Sequence, residues 1–276
     1  MNNEERFGTL ARVYGNEELQ KLQASHICVV GLGGVGSWVA EALARSGVGH
    51  LTIIDGDDIS YSNVNRQCHT LESTIGQMKA KVMEQRILDI NPDCDCQVIE
   101  QFLTDENVAD LLLPDPTKKF DCVIDAIDRI KYKALMIHFC KKHKVKVIAT
   151  GGAGGLTDPT QIEVKDLSRT WNDPLASAVR LALRQVHNFS RNLKRSFGVP
   201  CVYSTEQQRY PDKDGNVGYQ KPGVAGLSLD CSFGYGSVVA VTATFGFVAA
   251  ATAIDIIMKK KVTVPVVCDG DDYGDD

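Results

Sequence analysis

The strongest constraint on this chain is a glycine-rich turn, Gly31-Leu32-Gly33-Gly34-Val35-Gly36-Ser37, set directly after the apolar run His26-Ile27-Cys28-Val29-Val30. A buried strand that enters such a turn and leaves as a helix (here Gly34 to Ser46) belongs to a βαβ unit of a parallel sheet. Gly31 permits the tight turn. Gly33, with Gly34 beside it, lets a phosphate approach the backbone, and Gly36 permits close helix packing. Free N–H groups and the helix dipole then favour an anion at this point. Leu51 to Asp55 reads as the second strand, and Asp55 ends it where a carboxylate can hold both ribose hydroxyls. Alone, this pattern fits a dinucleotide as well as a mononucleotide.

The remaining periodicity extends the same architecture. Asn16 is expected to cap a short helix reaching about Ala24. Helices are expected over 76–91, 105–113, 130–143 and 174–190, the last opened by Asn172-Asp173-Pro174. Strands are expected over 96–102, 121–125, 146–150 and 161–165. Strands alternating with helices predict an α/β fold, a doubly wound, Rossmann-like and mostly parallel sheet, with a C-terminal strand and helix extension. Residues 1–150 would form the nucleotide-binding core and 151–268 an extension of the same domain. Pro211 to Asp230 reads as a long polar loop and 269–276 as a disordered acidic tail. Four glycines in Gly151-Gly152-Ala153-Gly154-Gly155 require either a mobile backbone or a closely approached one.

At 276 residues, 43% hydrophobic and 24% charged, the chain can bury a full core. A net charge of −5 argues against coating nucleic acid by bulk electrostatics and leaves room for a local basic surface. Nine scattered cysteines form no CxxC pair, so no zinc site is expected. Cys28, Cys122 and Cys140 lie in apolar runs and read as buried thiols. With no leader-like segment at the N-terminus, a cytoplasmic setting is expected. Val238 to Met258 is long and apolar enough to span a membrane, and Lys259-Lys260-Lys261 follow it. Its Ala and Thr content and Asp255 favour a buried core or dimer helix over membrane association.

The turn alone would suggest hydride transfer, but residues 56–80 hold a polar cluster that a dehydrogenase does not need. Ser62-Asn63-Val64-Asn65-Arg66-Gln67 precedes Gly76-Gln77-Met78-Lys79, with Lys79 in the first turn of a helix. A lysine there opposes the helix dipole unless an anion is also present. Arg66 and Lys79 could together grip a triphosphate, Arg66 as a bidentate fork and Lys79 as a point charge. Asp57, Asn63 and Gln67 are further nucleotide-contacting candidates. Asp125-Ala126-Ile127-Asp128 ends a strand on the same sheet edge. Asp128 suits a Mg²⁺ ion held against phosphates, and Asp125 is either a partner to it or a strand-end cap.

Those residues, from Gly31 to Ser37 through Asp55, the Asn-Val-Asn-Arg-Gln block, Lys79 and Asp128, resemble the adenylation domain of the ubiquitin-activating-enzyme (ThiF/MoeB-type) superfamily. The resemblance implies ATP and Mg²⁺, ribose on Asp55, and the triphosphate on Arg66, Lys79 and Asp128. A second arginine usual near the N-terminus is absent from Arg6-Phe7-Gly8-Thr9, with Arg12 the candidate replacement. Thr150 to Gly155, Asp158-Pro159-Thr160-Gln161-Ile162, Asp173-Pro174-Leu175 and Tyr203-Ser204-Thr205-Glu206 resemble one branch, the tRNA threonylcarbamoyladenosine dehydratases. That branch implies a homodimer acting on modified tRNA. It also implies a monovalent cation (K⁺ or Na⁺) near 151–155 and links to cysteine desulfurase and sulfur-acceptor proteins. Cys201 and Cys231 read as structural thiols rather than sulfur carriers.

For tRNA, Arg180, Arg184, His187, Arg191 and Lys194 fall on one stripe at helical spacing, opposite Leu175, Val179, Ala182 and Val186. Lys131, Lys133, Lys141, Lys142 and Lys144 form a second basic candidate. The competing readings are a sulfur-carrier-protein adenylyltransferase, a nicotinamide dehydrogenase and a non-enzymatic scaffold.

Overall fold

Strand runs that are apolar at every position can be satisfied only when both faces of a sheet are covered. This governs the fold seen in the computed structural model, which describes residues 3–212, 214–220 and 236–258. The expected acidic tail, Lys259 to Lys261, Cys231, Cys268 and most of the polar loop lie outside the described residues. Strands β1 (His26–Val30), β2 (His50–Ile54), β3 (Asp95–Ile99), β4 (Cys122–Asp125), β5 (Val147–Thr150), β6 (Ile162–Asp166) and β7 (Pro200–Ser204) form one sheet. Their order is β3-β2-β1-β4-β5-β7-β6. Every pairing is parallel except β6 with β7. β4 and β5 are buried at every position, as the continuous apolar runs require. β7 escapes sequence reading because Pro200 opens it, a position where proline is tolerated.

The helices are α1 (Asn3–Tyr14), α2 (Asn16–Gln23), α3 (Gly36–Arg45), α4 (Lys79–Ile90), α5 (Val108–Leu112), α6 (Ile130–His143), α7 (Pro174–Val186) and α8 (Val239–Met258). One core joins one sheet face to α3, α4 and α8 through Leu43, Met83 and Phe245. The second joins the other face to α5, α6 and α7 through Leu112, Ile137 and Leu183. α8 is the long apolar segment, and it lies on the sheet with Val241, Phe245, Ala249 and Ala253 buried. A Cβ at Gly246 would come within 2.7 Å of the Trp38 Cβ and 2.8 Å of the Val35 carbonyl oxygen, so α8 and α3 touch backbone to backbone there.

Three sequence expectations fail for local reasons. Asn16 does not cap α2: Gly15 does, with φ 98° and no side-chain cap, having already closed α1 through its N–H to the Ala11 carbonyl. α7 stops at Val186, because Asn188 turns left-handed at φ 58°. Its buried face is therefore Ala176, Val179 and Leu183, and Val186 is exposed. The polar loop contains a small hairpin, β8 (Tyr210–Pro211) with β9 (Val217–Gly218).

Candidate active site

Ligands of open α/β sheets sit at the carboxyl edge where strand order reverses. Here that point lies between β1 and β4: the chain builds β2 and β3 on one side of β1 and the remaining strands on the other. The glycine turn leaves β1 at this edge and Asp125 to Asp128 leave β4 beside it. Gly31 has φ 89°, and a Cβ there would meet the Ala126 carbonyl oxygen at 2.9 Å. A Cβ on Gly36 would lie 1.8 Å from the Gly31 carbonyl oxygen, so Gly36 closes the turn itself. A Cβ on Gly33 would meet nothing within 4 Å. That open approach is what a phosphate cradle needs. α3 starts there without any side-chain cap, although the Ser37 and Trp38 N–H groups of its first turn bond to the Gly33 and Val35 carbonyls, each at 3.1 Å.

Asp55 is buried at the end of β2. Its Oδ2 accepts the Leu32 N–H at 2.6 Å and its Oδ1 accepts the Asp57 N–H at 2.9 Å. Burial pushes the Asp55 carboxyl above the usual range, opposed by those two N–H groups and by Lys79. Asp55 thus ties the second strand to the glycine turn.

The Asn-Val-Asn-Arg-Gln block folds as a short 3-10 turn, Tyr61–Asn63, and its continuation. Asn63 is buried, and its Oδ1 accepts the Ser60 N–H at 3.1 Å. The Arg66 carbonyl accepts the Trp38 indole N–H at 2.8 Å, which anchors the block on α3. Its guanidinium donates to the Ser62 carbonyl at 2.8 Å and to Asn65 Oδ1 at 3.1 Å. Asn65 donates in turn to the Ser237 carbonyl at 2.8 Å, just before α8. A Cβ at Gly34 would lie 3.1 Å from Arg66 Cγ and Cδ, so the arginine stem crosses the glycine turn. Gln67 is buried and its Oε1 has no partner among the described residues. The adjoining His69 is 1% exposed, and neither ring nitrogen makes a hydrogen bond of ordinary geometry. Burial, with Lys79 and Arg86 nearby, pulls its pKa down to about 4.

Lys79 is the first residue of α4, which has no side-chain cap. The anion that this placement demands is supplied within the chain. The buried Lys79 ammonium donates to the carboxylate of Asp57, which is exposed, and the Lys79 N–H bonds the Asp57 carbonyl at 3.1 Å. Asp57 therefore holds the lysine at the site.

At the end of β4 the two aspartates have different roles. Asp125 is fully buried, and its Oδ1 receives Lys133 Nζ at 3.0 Å. Lys133 also donates to the Ile127 carbonyl at 2.8 Å. Asp125 is thus the structural carboxylate, and Lys133, 1% exposed, is withdrawn from the basic surface that its helix suggested. Asp128 is exposed on the edge and makes no hydrogen bond or ion pair among the described residues. No group of three or more His, Cys, Asp or Glu side chains with metal-binding geometry occurs among them. A Mg²⁺ ion here would be shared between one protein carboxylate and phosphate oxygens, which is how that ion is usually held at nucleotide sites.

The other expected residues are distributed differently. Arg12 is on α1, whose Phe7 ring lies under Gly47 and whose Arg6 donates to the Ile90 carbonyl at 3.1 Å. Gly47 and Ile90 lie at the amino edge of the sheet, so one chain does not bring Arg12 to the glycine turn. The basic stripe beyond α7 is divided by the turn at Asn188. Arg180 donates to the Thr170 hydroxyl, and Arg184 donates to the Ser190 carbonyl at 3.3 Å and stacks 5.3 Å from the centre of the Phe197 ring. Arg191 and Lys194 are exposed on the following loop. Cys201 is fully buried and its thiol is pushed up by that burial. Cys122 is pushed up to about 12 for the same reason.

The glycine run at 151–155 is the closely approached kind. A Cβ at Gly151 would fall 1.8 Å from Asp173 Oδ2. Asp173 caps α7 by accepting the Ala176 N–H at 2.8 Å, and it accepts the Gly152 N–H at 3.0 Å. Glu206, also buried, accepts the Thr157 N–H and the Asp158 N–H, each at 2.9 Å. The branch-specific motifs thus knit the ends of β5 and β7 together. Beside them lies a cleft of about 350 Å³ that sequence reading missed, because three separate segments line it.

A switch-point glycine cradle flanked by an arginine, a lysine and a free carboxylate defines a mononucleotide-binding, adenylating class of α/β protein. The family model described as the ThiF family matches residues 7–267, and the chain belongs to that family. It is 46% identical to the tRNA threonylcarbamoyladenosine dehydratase of Haemophilus influenzae, over 94% of this chain and 96% of that protein. The protein of the same description from Escherichia coli is 47% identical over 93% and 94%. The crystal structure of the E. coli dehydratase TcdA in complex with ATP superposes with a TM-score of 0.81 at 44% identity, covering 93% of this chain and 95% of that one.

Proposed function

We propose that this protein is an ATP-dependent tRNA threonylcarbamoyladenosine dehydratase, which activates the carboxylate of its substrate by adenylation. The observation that carries this reading is the convergence of Gly33, Arg66, Lys79 and Asp128 on one sheet edge, in a chain that matches its dehydratase relatives nearly end to end. A substrate carboxylate oxygen attacks the α-phosphorus of ATP, and pyrophosphate leaves. A nitrogen of the substrate's own ureido group then attacks the acyl carbon, AMP leaves, and a cyclic hydantoin remains. The substrate has lost one water, whose oxygen departs on AMP.

In this scheme Asp55 holds the ribose, and Asn63 and Gln67 line the nucleotide side. Arg66 and Lys79 neutralise charge growing on the phosphates. Asp57, which pairs with Lys79, keeps the ammonium in place until phosphate replaces it. Asp128 would hold Mg²⁺, which supplies charge neutralisation on the departing pyrophosphate. Ring closure is intramolecular, so it needs orientation more than an enzyme nucleophile. Cys201 is fully buried, and that burial pushes its thiol up, which suits a structural role rather than sulfur relay. The carbonyls of Gly154 and Gly155 already accept from Gln208 and Arg209, and no step is assigned to a monovalent cation. Arg191 and Lys194 are the surface cations for tRNA phosphates. The exposed apolar side chains Val64, Val239 and Phe247, around the start of α8, suit a homodimer contact.

The test is mass spectrometry of nucleosides from tRNA incubated with the protein and ATP. Threonylcarbamoyladenosine should lose the mass of one water, and Lys79→Ala or Asp128→Ala should abolish that change while tRNA binding persists. Adenylation of a carrier protein ending in Gly-Gly, with modified tRNA untouched, would replace this reading with a sulfur-carrier adenylyltransferase.

A further inference from the structure

The cleft between α7 and the β7–β8 connection is lined by Asn172, Pro174, Arg180, Gln208, Tyr210 and Tyr219, among others. It opens at the carboxyl edge of β5 and β7, next along the sheet from the β4 end that carries Asp128. Its volume, about 350 Å³, falls in the range of small-molecule sites. Its two charged residues are placed differently. Both oxygens of Asp173 are taken by backbone N–H groups, of Ala176 and Gly152. Arg180 is half-buried, and its hydrogen bond goes to a neutral hydroxyl, that of Thr170. Asp173 attracts Arg180 through space, but no carboxylate makes a salt bridge to it among the described residues, although a half-buried guanidinium gains most from a planar anion in direct contact.

The rest of the lining distinguishes between anions. A tRNA backbone presents many phosphates and is gripped by several exposed cations, as Arg191 and Lys194 could do from their loop. The cleft instead offers one cation among amides and tyrosine rings. That set suits a single carboxylate attached to an unstacked, flat base. We propose that this cleft receives the modified adenine, with Arg180 pairing with the carboxylate of its threonylcarbamoyl arm and orienting it toward the nucleotide. The assignment rests on the dehydratase reading above. It moves Arg180 from general phosphate binding to recognition of the modification.

Equilibrium binding of two tRNAs tests this: one carrying threonylcarbamoyladenosine and the same tRNA with plain adenosine. Wild-type protein should prefer the first. Arg180→Gln should weaken binding of the modified tRNA by about 10–100-fold, the effect of one charged hydrogen-bonding partner. Plain tRNA and ATP should bind as before. Arg180→Lys, which keeps the charge and loses the fork, should restore part of the preference and guards against a folding artefact. Equal losses for both tRNAs, or no loss, in a wild-type background that does form the cyclic product, would overturn the Arg180 assignment alone. Failure of the wild-type protein to convert modified tRNA would overturn both proposals.

Discussion

Replacing Lys133 by Met removes one half of a buried ion pair and leaves the other half in place. Lys133 and Asp125 are 1% and 0% exposed, with Nζ 3.0 Å from Oδ1. Asp125 Oδ2 has no partner among the described residues, so Lys133 is the main compensation for a carboxylate inside the sheet. Breaking such a pair from one side costs about 3–5 kcal/mol. For a chain of this size that is a drop of roughly 5–10 °C in Tm. The loss should also depend on pH. Burial already pushes the Asp125 carboxyl up, with Lys133 opposing the shift. Without Lys133 its folded pKa rises further above the unfolded value. A raised carboxyl favours the folded state at low pH, and that advantage is lost as pH rises through the folded pKa, by at most about 1.4 kcal/mol per unit. Urea denaturation at pH 5 and pH 8 should therefore show the larger deficit at pH 8. Adding Asp125→Asn to Lys133→Met should recover much of the stability and flatten the pH dependence. A deficit below about 1 kcal/mol (small for any core change), or a double variant as unstable as the single one, would refute the ion-pair account.

Two further outcomes follow from the same geometry. Gly36→Ala places a Cβ 1.8 Å from the Gly31 carbonyl and should both destabilise the fold, by at least about 1–3 kcal/mol, and abolish ATP binding; Gly33→Ala, whose Cβ meets nothing, should fold normally and lose ATP affinity in calorimetry. His69 has a folded pKa of about 4 against an ordinary 6.5, so it is buried neutral, and the stability this allows is present above pH 6.5 and lost progressively toward pH 4. A His69→Gln variant should show a shallower loss of stability over that window in pH-dependent denaturation.

The elements most legible in the sequence are those whose signals are local. α6 runs over Ile130–His143 as the pattern predicts, and Lys79 lies in the first turn of α4 as expected, although that helix begins at Lys79 rather than at the left-handed Gly76. The glycine turn and Asp55 stand at the ends of β1 and β2 as the pattern predicts, because a strand–turn–helix unit carries its own signal within a few residues. Local signals also misled. The basic spacing from Arg180 to Lys194 continues a helical period in the letters, but the left-handed Asn188 ends the helix first. Lys133 looks like one more surface cation of a basic helix until α6 is laid on the sheet and Asp125 is found beneath it.

This division between local and assembled features has a functional counterpart. The groups proposed to handle phosphate gather around one switch point: the glycine turn after β1, Arg66 across it, Lys79 at the start of α4 and Asp128 after β4. The cleft beside them is made by the capped start of α7, the chain after β7 and the small hairpin that follows. Gly151 is bare because Asp173 must pass within van der Waals contact of it. None of those segments carries a recognisable ligand motif, and none forms a pocket alone. A chain can therefore keep the adenylation machinery fixed at β1 and β4 while the segments after β5 and β7 set which carboxylate reaches it. In the proposed reading the half-buried Arg180, in salt-bridge contact with no described carboxylate, is the cleft's cation that would make that choice.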